Sequence, residues 1–494
     1  MIDTKLASIV LASYLVLMIL IGVYEYRKTR GLLDFYLAGR RLGALVVSFS
    51  FFATYFSTAA FLGGGGFGFI AGFQWSAFLT FFHILFALLA WMFIAPKMRE
   101  LAHAQKVLTI SEIFRNKYGI PSQVLAALII LFFFEFYMVS IYKGAGNLLQ
   151  VMLSMDYKAA LLITGVVVMI YTAIGGFRAV VMTDLIQGLL ILVGGVALFI
   201  TLILTLGGLS NAIQSLSNVK LFAGMTGSSL FELGKLSPPP IMKAGMVLPF
   251  ILSLTFAISV AQLASPQLVV RFIAAKDDRV IAHGMILTPL IIGVFAICVF
   301  SIGPFGWLII PKYTSVKPFL KNVDLVVPFI AMKLFPTGIN ALLLTAIVAA
   351  AMSTINSLVH VVSTAFVRDI LQNVKTIKEE TALRITRISV FLFTLIPLVA
   401  AINPPGVIVE IVGVSFSVIT AAFLVPLVSA LYFKRPNSVA ASASMVIAVI
   451  VCVLWHLFFY KVYWIYPVVP GLIASITAYI VLSLALPSPT EHVA

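Results

Sequence analysis

Charge is what this chain has least of. Only 10% of its 494 residues are charged and 17 are acidic, where a soluble globular chain carries about a quarter charged residues, so a water-soluble fold is excluded. Cysteine is almost absent: Cys298 and Cys452 both lie inside apolar runs, which leaves neither a disulfide framework nor a thiolate metal site. The six histidines (His83, His103, His283, His360, His456 and His492) are scattered without metal-ligand spacing, and a membrane enzyme has no catalytic set to draw on. No long polar stretch exists to form a soluble module, and the short tail after Leu486 adds no kinase or sensor. The net charge of +15 comes from short Lys/Arg clusters between apolar runs, the pattern of membrane-flanking loops rather than of a nucleic-acid-binding surface.

What remains is 62% hydrophobic and reads as an all-α polytopic membrane protein. A crossing helix needs roughly 20 apolar residues, and thirteen segments qualify: 4–26, 43–71, 73–96, 120–151, 157–176, 179–207, 241–268, 281–310, 327–371, 383–402, 406–432, 438–459 and 464–486. The ninth is too long for one span and includes a surface helix before Pro336. The first run, Leu6 to Tyr24, has no basic stretch before it and no small-residue cleavage site after it, so it reads as a retained helix. Placing the N-terminus outside puts 21 of the 32 basic residues, Arg271 among them, on the cytoplasmic side, which predicts a multi-pass protein of the plasma or inner cell membrane with a cytoplasmic C-terminus. The two longest polar connections, 208–240 and 311–326, are then external.

Two spans carry polar interruptions. Ser48 to Gly68 holds Thr54, Tyr55, Ser57 and Thr58 and then Gly63 to Gly66; Ser259 to Pro266 holds Ser259, Gln262, Ser265 and Pro266. Backbone freed at membrane depth is tolerated only where protein buries it or it lines a cavity, and the glycine run reads as a close-packing or hinge element. The second and seventh spans open two five-helix halves. One transmembrane domain (1–494) thus divides into a leading helix and loop (1–42), a first repeat (43–207), an external loop (208–240), a second repeat (241–432) and two further helices (433–494). In the ninth span Ala350, Ser353, Thr354 and Ser357 share one helical face, with Asn356 beside Ser353 at i+3. Hydroxyls facing freed carbonyls suit a weakly held monovalent hard cation, whereas Mg²⁺ or Ca²⁺ would call for carboxylates.

Six blocks, FYLAGRRLG (Phe35 to Gly43), ATYFS (Ala53 to Ser57), GGFRAVVMTDLIQG (Gly175 to Gly188), RFIAAKD (Arg271 to Asp277), AAAMSTINS (Ala349 to Ser357) and RDI (Arg368 to Ile370), resemble the sodium:solute symporter family, in that family's order. The resemblance implies a five-plus-five inverted-repeat (LeuT-like) core with the first helix of each repeat broken, Na⁺ as coupling ion, and alternating access. It implies a main Na⁺ site from the carbonyls of Ala53, Phe56 and Ala350 with the hydroxyls of Ser353 and Thr354. A second Na⁺, held by some members, would fall on Asp184, Ser353, Asn356 and Ser357, where Asn356 replaces a hydroxyl; an alternative role for Asp184 is to orient backbone near the cytoplasmic end. ATYFSTAAFLGG, GLSNAIQSL (Gly208 to Leu216), VDLVVP (Val323 to Pro328) and NPPG (Asn403 to Gly406) are most similar to the pantothenate symporter branch, implying a small organic anion such as pantothenate or a monocarboxylate. Tyr55 stands where proline-transporting members carry an acid, which lowers the proline alternative. Thr54, Tyr55, Ser57, Thr58, Trp75, Tyr137 and Gln262 are pocket candidates, and Trp75 alternatively an interfacial anchor. Glu135 and Lys143, eight residues and so about 12 Å apart along one helix, are substrate candidates because charges inside a span are functional by default; Lys143 alternatively snorkels outward. Expected partners are the small solute and membrane lipid, with no nucleic acid and no obligatory protein partner. A channel would need a continuous polar pore, which this clustering does not provide.

Overall fold

The computed structural model describes residues 4–153, 155–236, 246–404 and 408–486; Pro405 and Gly406 of the NPPG block, residues 237–240 of the external loop and the tail after Leu486 lie outside them. Helices dominate because the chain runs through long apolar segments and no water is available at membrane depth to satisfy freed backbone groups. Eleven helical stretches among the described residues are long and apolar enough to cross a membrane. Two of these are double: Ala59–Ala104 turns at Gly72 (φ 70°) and Tyr157–Thr205 turns at Gly176 (φ 60°). Counting each limb restores the thirteen expected spans. At both corners only glycine takes the positive φ cheaply, and a Cβ on Gly176 would also strike the Phe35 ring.

The elements that build the site are α1 (Thr4–Tyr26), α2 (Leu32–Leu37), α3 (Ala44–Tyr55), α4 (Gly65–Leu89), α5 (Ile110–Tyr118), α6 (Ile120–Leu153), α7 (Tyr157–Thr205), α8 (Val247–Val260), α9 (Pro266–Ala274), α10 (Asp278–Phe300), α11 (Thr337–Thr364), α12 (Glu379–Ala400) and α13 (Ile408–Tyr432). α14 (Ser438–Leu454) and α15 (Val468–Ala485) pack on each other and on α13. The span that holds α11 is the most deeply buried, and α11 packs against α1, α3, α6, α7 and α12. Before it, Val326–Leu334 forms the separate helix expected ahead of Pro336.

Both expected breaks are present. α3 stops at Tyr55 and Phe56 leaves the helical region (φ −90°, ψ 85°). The chain then restarts through a π turn, Ala59–Gly64, leading into α4. Ser57 drives the interruption locally, because its Oγ accepts the Ala59 N–H at 3.1 Å, the backbone-competing bond typical of hydroxyl residues. The second break has a different cause. Pro266 forces Ser265 into extended backbone (ψ 120°) and then serves as the first residue of α9, as proline restricts its predecessor and suits N1. The glycine run after the first break is a packing device: a Cβ on Gly64 would lie 2.7 Å from the Phe300 ring, and one on Gly66 would overlap the Val323 carbonyl.

Candidate functional site

Where α3 ends, its last carbonyls have no intrahelical partner and α11 supplies hydroxyls to them. Ser353 Oγ donates to the Ala53 carbonyl at 2.8 Å, and Thr354 Oγ1 to the Thr54 carbonyl at 2.9 Å. Both hydroxyls also lie over the Ala350 carbonyl, at 3.1 and 3.2 Å. All of these residues are fully buried. Four of the five residues expected at the main Na⁺ site therefore converge, and Phe56 is the turn residue beside them. The cluster carries no formal charge and consists of oxygens only, the donor set that suits a monovalent hard cation.

One turn along α11 the chemistry changes. Ser357 Oγ meets Thr54 Oγ1 at 2.8 Å, and beside the pair lies a guanidinium. Arg271 Nη2 donates to Thr54 Oγ1 (2.6 Å), Ser357 Oγ (2.6 Å) and Asp184 Oδ2 (3.0 Å), Nε donates to Ser50 Oγ (3.1 Å), and Nη1 donates to the Gln267 carbonyl. Arg271 and Asp184 are both fully buried, and the guanidinium faces the Phe177 ring at 5.3 Å. This corrects the assignment of Arg271 to a cytoplasmic loop: α9 runs from Pro266 straight into the core, and Arg271, one turn after Gln267, is carried inside with it. It also replaces the backbone-orienting role weighed for Asp184. Ser50 Oγ adds a bond at 2.7 Å to the same carboxylate oxygen. Asn356 Nδ2 donates to Tyr171 Oη (3.0 Å) and Thr183 Oγ1 (3.3 Å) and reaches Asp184 Oδ1 at 3.5 Å. Three of the four residues expected at a second Na⁺, Asp184, Asn356 and Ser357, are thus gathered, but beside a cation that the protein already owns, while Ser353 stays with the Ala53 and Ala350 carbonyls.

On the other side of the first break a small cavity of about 30 Å³ is lined by Tyr55, Ser57, His83, Tyr137, Phe300 and Phe416 together with apolar neighbours from α8 and α13. A space of that size holds one water molecule. Tyr55 Oη donates to the Ile258 carbonyl (3.0 Å) and lies 3.2 Å from His83 Nε2, while His83 Nδ1 lies 2.6 Å from Ser259 Oγ. The proton arrangement that satisfies every partner has Ser259 donating to Nδ1 and Nε2–H donating to the tyrosine oxygen. His83 so joins the two broken helices. It escaped the sequence reading because both partners lie on other elements; its one signal was a lone polar side chain within Phe81–Leu89.

Of the pocket candidates, Tyr55, Ser57 and Tyr137 line this cavity. Thr54 belongs to the Arg271 network, and Thr58 packs where a Cβ on Gly144 would lie 2.6 Å from its Oγ1. Trp75 is buried, its Nε1–H donating to the Gly64 carbonyl at 2.8 Å, and so anchors the glycine run rather than an interface. Gln262 Nε2 donates to the carbonyls of His83 (3.1 Å) and Ser259 (3.2 Å). Lys143 lies toward Asp324 and Glu410 instead, and Glu135 is absent from the lining, its carboxylate oxygens buried without a hydrogen-bond partner.

Comparison with known proteins identifies the family and the fold. Residues 35–448 match the profile of the Sodium:solute symporter family. The Sodium/pantothenate symporter of Escherichia coli (strain K12) is 29% identical over 95% of each chain, and the osmoregulated proline transporter OpuE of Bacillus subtilis (strain 168) is 28% identical over 97% of this chain and 95% of its own. Among solved structures, a Na⁺-coupled sialic acid symporter in a substrate-bound outward-open state superposes with a TM-score of 0.82 at 21% identity, covering 99% of both chains. Mhp1, a nucleobase-cation-symport-1 family transporter in a closed conformation, superposes at 0.57 and 12% identity, covering 92% of this chain and 96% of that one.

Proposed function

Because the chain belongs to the sodium:solute symporter family and is a sodium-coupled symporter of a small organic solute, we propose that its solute is a small organic anion of the pantothenate class, with short monocarboxylates as the nearest alternative. One observation carries this reading. The outer half of the first broken helix begins at Ser57 to Ala60, of which Ser57, Ala59 and Ala60 line the cavity, so the helix start turns its positive dipole end toward whatever binds there, its Ala59 and Ala60 N–H groups held by Ser57 Oγ and the Ser57 carbonyl. Half-helix N-termini serve carboxylates in this way. No Asp or Glu among the described residues lines the cavity, so the ammonium of an amino acid such as proline would enter a pocket without a counter-charge. The pantothenate symporter among the relatives supports the same choice.

Sodium enters from the outside, takes the carbonyls of Ala53, Phe56 and Ala350 with the hydroxyls of Ser353 and Thr354, and ties the end of α3 to α11. That act fixes the break and completes the solute pocket between the two broken helices. Solute binding must enlarge this space, because a cavity of about 30 Å³ is too small for a solute. Inward opening then releases both to the cytoplasm, with the N-terminus outside and the C-terminus inside. Arg271 supplies the positive charge at Asp184, so we assign one sodium per cycle. A charge moving through about 100 mV contributes about 2.3 kcal/mol and a tenfold sodium gradient adds about 1.4 kcal/mol. With a monovalent anion at one-to-one coupling the electrical part cancels and the concentration gradient alone drives uptake.

Uptake by proteoliposomes under an imposed inward sodium gradient, screened over pantothenate, short monocarboxylates, proline and sugars, tests the assignment. Saturable, sodium-dependent pantothenate or monocarboxylate uptake insensitive to membrane potential is expected. Proline or sugar uptake without anion uptake would overturn it.

A further inference from the structure

The RDI block (Arg368 to Ile370) contains an acid that the sodium and solute sites do not use. Asp369 is fully buried and takes part in no ion pair among the described residues: its neighbour Arg368 turns away, Nε donating to Glu112 Oε1 at 2.6 Å. One oxygen, Oδ1, accepts from Thr109 Oγ1 (2.7 Å) and Gln123 Nε2 (2.8 Å). The other, Oδ2, is buried with no hydrogen-bond partner. A small cavity of about 20 Å³ lies against Asp369, lined also by Thr109, Ser111, His360 and Thr364. Within that lining Ser111 Oγ lies beside the Asp369 carboxylate and His360 Nδ1 is buried without a partner; since His360 Nε2 sits 3.3 Å from the Tyr36 carbonyl and donates there, Nδ1 is left as a bare acceptor. A carboxylate oxygen and an imidazole nitrogen, both buried acceptors without a donor of ideal geometry, share one small space with the Ser111 hydroxyl, an arrangement that burial penalises and that a bound cation would relieve.

The position has a logic along α11. Ser353, Ser357, His360 and Thr364 follow helical spacing on one face. After Thr364 the helix widens into a π turn, Ala365–Leu371, whose i to i+5 bonding brings Asp369 directly below Thr364. The buried polar stripe therefore runs without interruption from the sodium nest to the carboxylate, roughly 24 Å at 1.5 Å per residue. Arg271 stands beside the stripe at Ser357, but Asp184 already neutralises it. The first uncompensated negative charge that an ion leaving the nest meets is Asp369.

We propose that Asp369, with Ser111, Thr364 and His360 around the small cavity, forms a second, transient sodium site at the cytoplasmic end of α11, a way-station through which the coupling ion leaves. The proposal rests on the orientation and the sodium nest given above. The carboxylate supplies charge, the hydroxyls and the imidazole lone pair complete the shell, and the bond from Thr109 at the start of α5 links occupancy to the segment that closes this end.

Sodium is the probe, varied on one face at a time in right-side-out vesicles, and uptake of the solute selected by the screen above is the reporter. Asp369→Asn keeps the oxygen that accepts from Thr109 and Gln123 while removing the charge; Thr109→Val removes a bond of the closure and keeps the charge. For Asp369→Asn the internal sodium concentration that half-inhibits uptake should rise about tenfold or more, the scale of one lost charged contact, with half-activation by external sodium unchanged within about twofold. Thr109→Val should leave internal inhibition within about twofold. An unchanged internal response in Asp369→Asn, or an equal shift in Thr109→Val, would make the carboxylate a closure element holding water and would overturn the proposal. Should Asp369→Asn fail to reach the membrane, Ser111→Ala carries the same test with an expected rise of about threefold. Failure of the nest itself reads differently, as an external response untouched by Ser353→Ala.

Discussion

The nest around Ser353 and Thr354 and the network around Arg271 and Asp184 sit one turn apart on the same face of α11, both fully buried and both fed by the end of α3. In the nest, uncharged hydroxyls hold uncharged carbonyls, bonds that a small cation can replace at little loss. In the network, a guanidinium and a carboxylate hold each other, with Ser50, Thr54 and Ser357 satisfying further donors. A buried pair of that kind breaks at high cost. At this depth the cluster without charge is the one we propose as exchangeable, while the charged one has its cation built in.

Breaking the network should give the largest effect. Arg271→Met alone leaves Asp184 buried and unpaired and should destabilise the fold by about 3–5 kcal/mol, read as a fall in the thermal midpoint of the purified protein. Adding Asp184→Leu should recover most of that loss, since well-packed apolar replacement of a whole buried pair is often neutral. If the single variant is as stable as the parent, the network is not structural and the contrast with the nest fails.

Asp324 sharpens the contrast because it is a buried carboxyl outside the spans with only partial compensation. Burial pushes it from the ordinary 3.8 up to about 6, with Lys143 pulling the other way. The folded state therefore binds more protons than the unfolded chain between those values, and the stability this group contributes is full below about 3.8 and lost as pH rises through about 6. Asp324→Asn should match the parent near pH 4 and exceed it by about 2–3 kcal/mol at pH 8, as measured by thermal midpoints across pH. A gain of equal size at both pH values would point to packing instead of charge.

A smaller effect belongs to the solute side. Tyr55→Phe removes the hydroxyl shared by Ile258 and His83 and should weaken apparent solute affinity about tenfold, near the 1–2 kcal/mol scale of a lost buried hydrogen bond, while half-activation by sodium stays within about twofold. Equal shifts in both constants would merge the two sites into one.

The thirteen spans and both breaks were legible in the sequence, since apolar runs report membrane depth and a hydroxyl cluster or a proline inside one frees backbone groups that this depth tolerates only where protein or a cavity receives them. The face shared by Ser353, Thr354 and Ser357 followed from helical spacing. Arg271 was not legible because a loop-charge argument places arginines by their nearest apolar boundary, and its partner Asp184 lies 87 residues away. Glu135 and Lys143 drew attention simply as charges in a span, yet neither lines the cavity, whereas His83 lines it and drew none: its role exists only once Tyr55 and Ser259 are brought together from two different breaks.

An uncharged oxygen nest on α11 holding the coupling ion is the claim on which the rest depends. Its most direct test is the sodium dependence of solute uptake in proteoliposomes bearing Ser353→Ala with Thr354→Ala, compared with the parent at matched, correctly folded protein. Half-activation should move upward by about a hundredfold or more, two lost ligands at about 1.4 kcal/mol each, so that a physiological gradient no longer drives uptake. An unchanged sodium dependence for the accepted solute would contradict it.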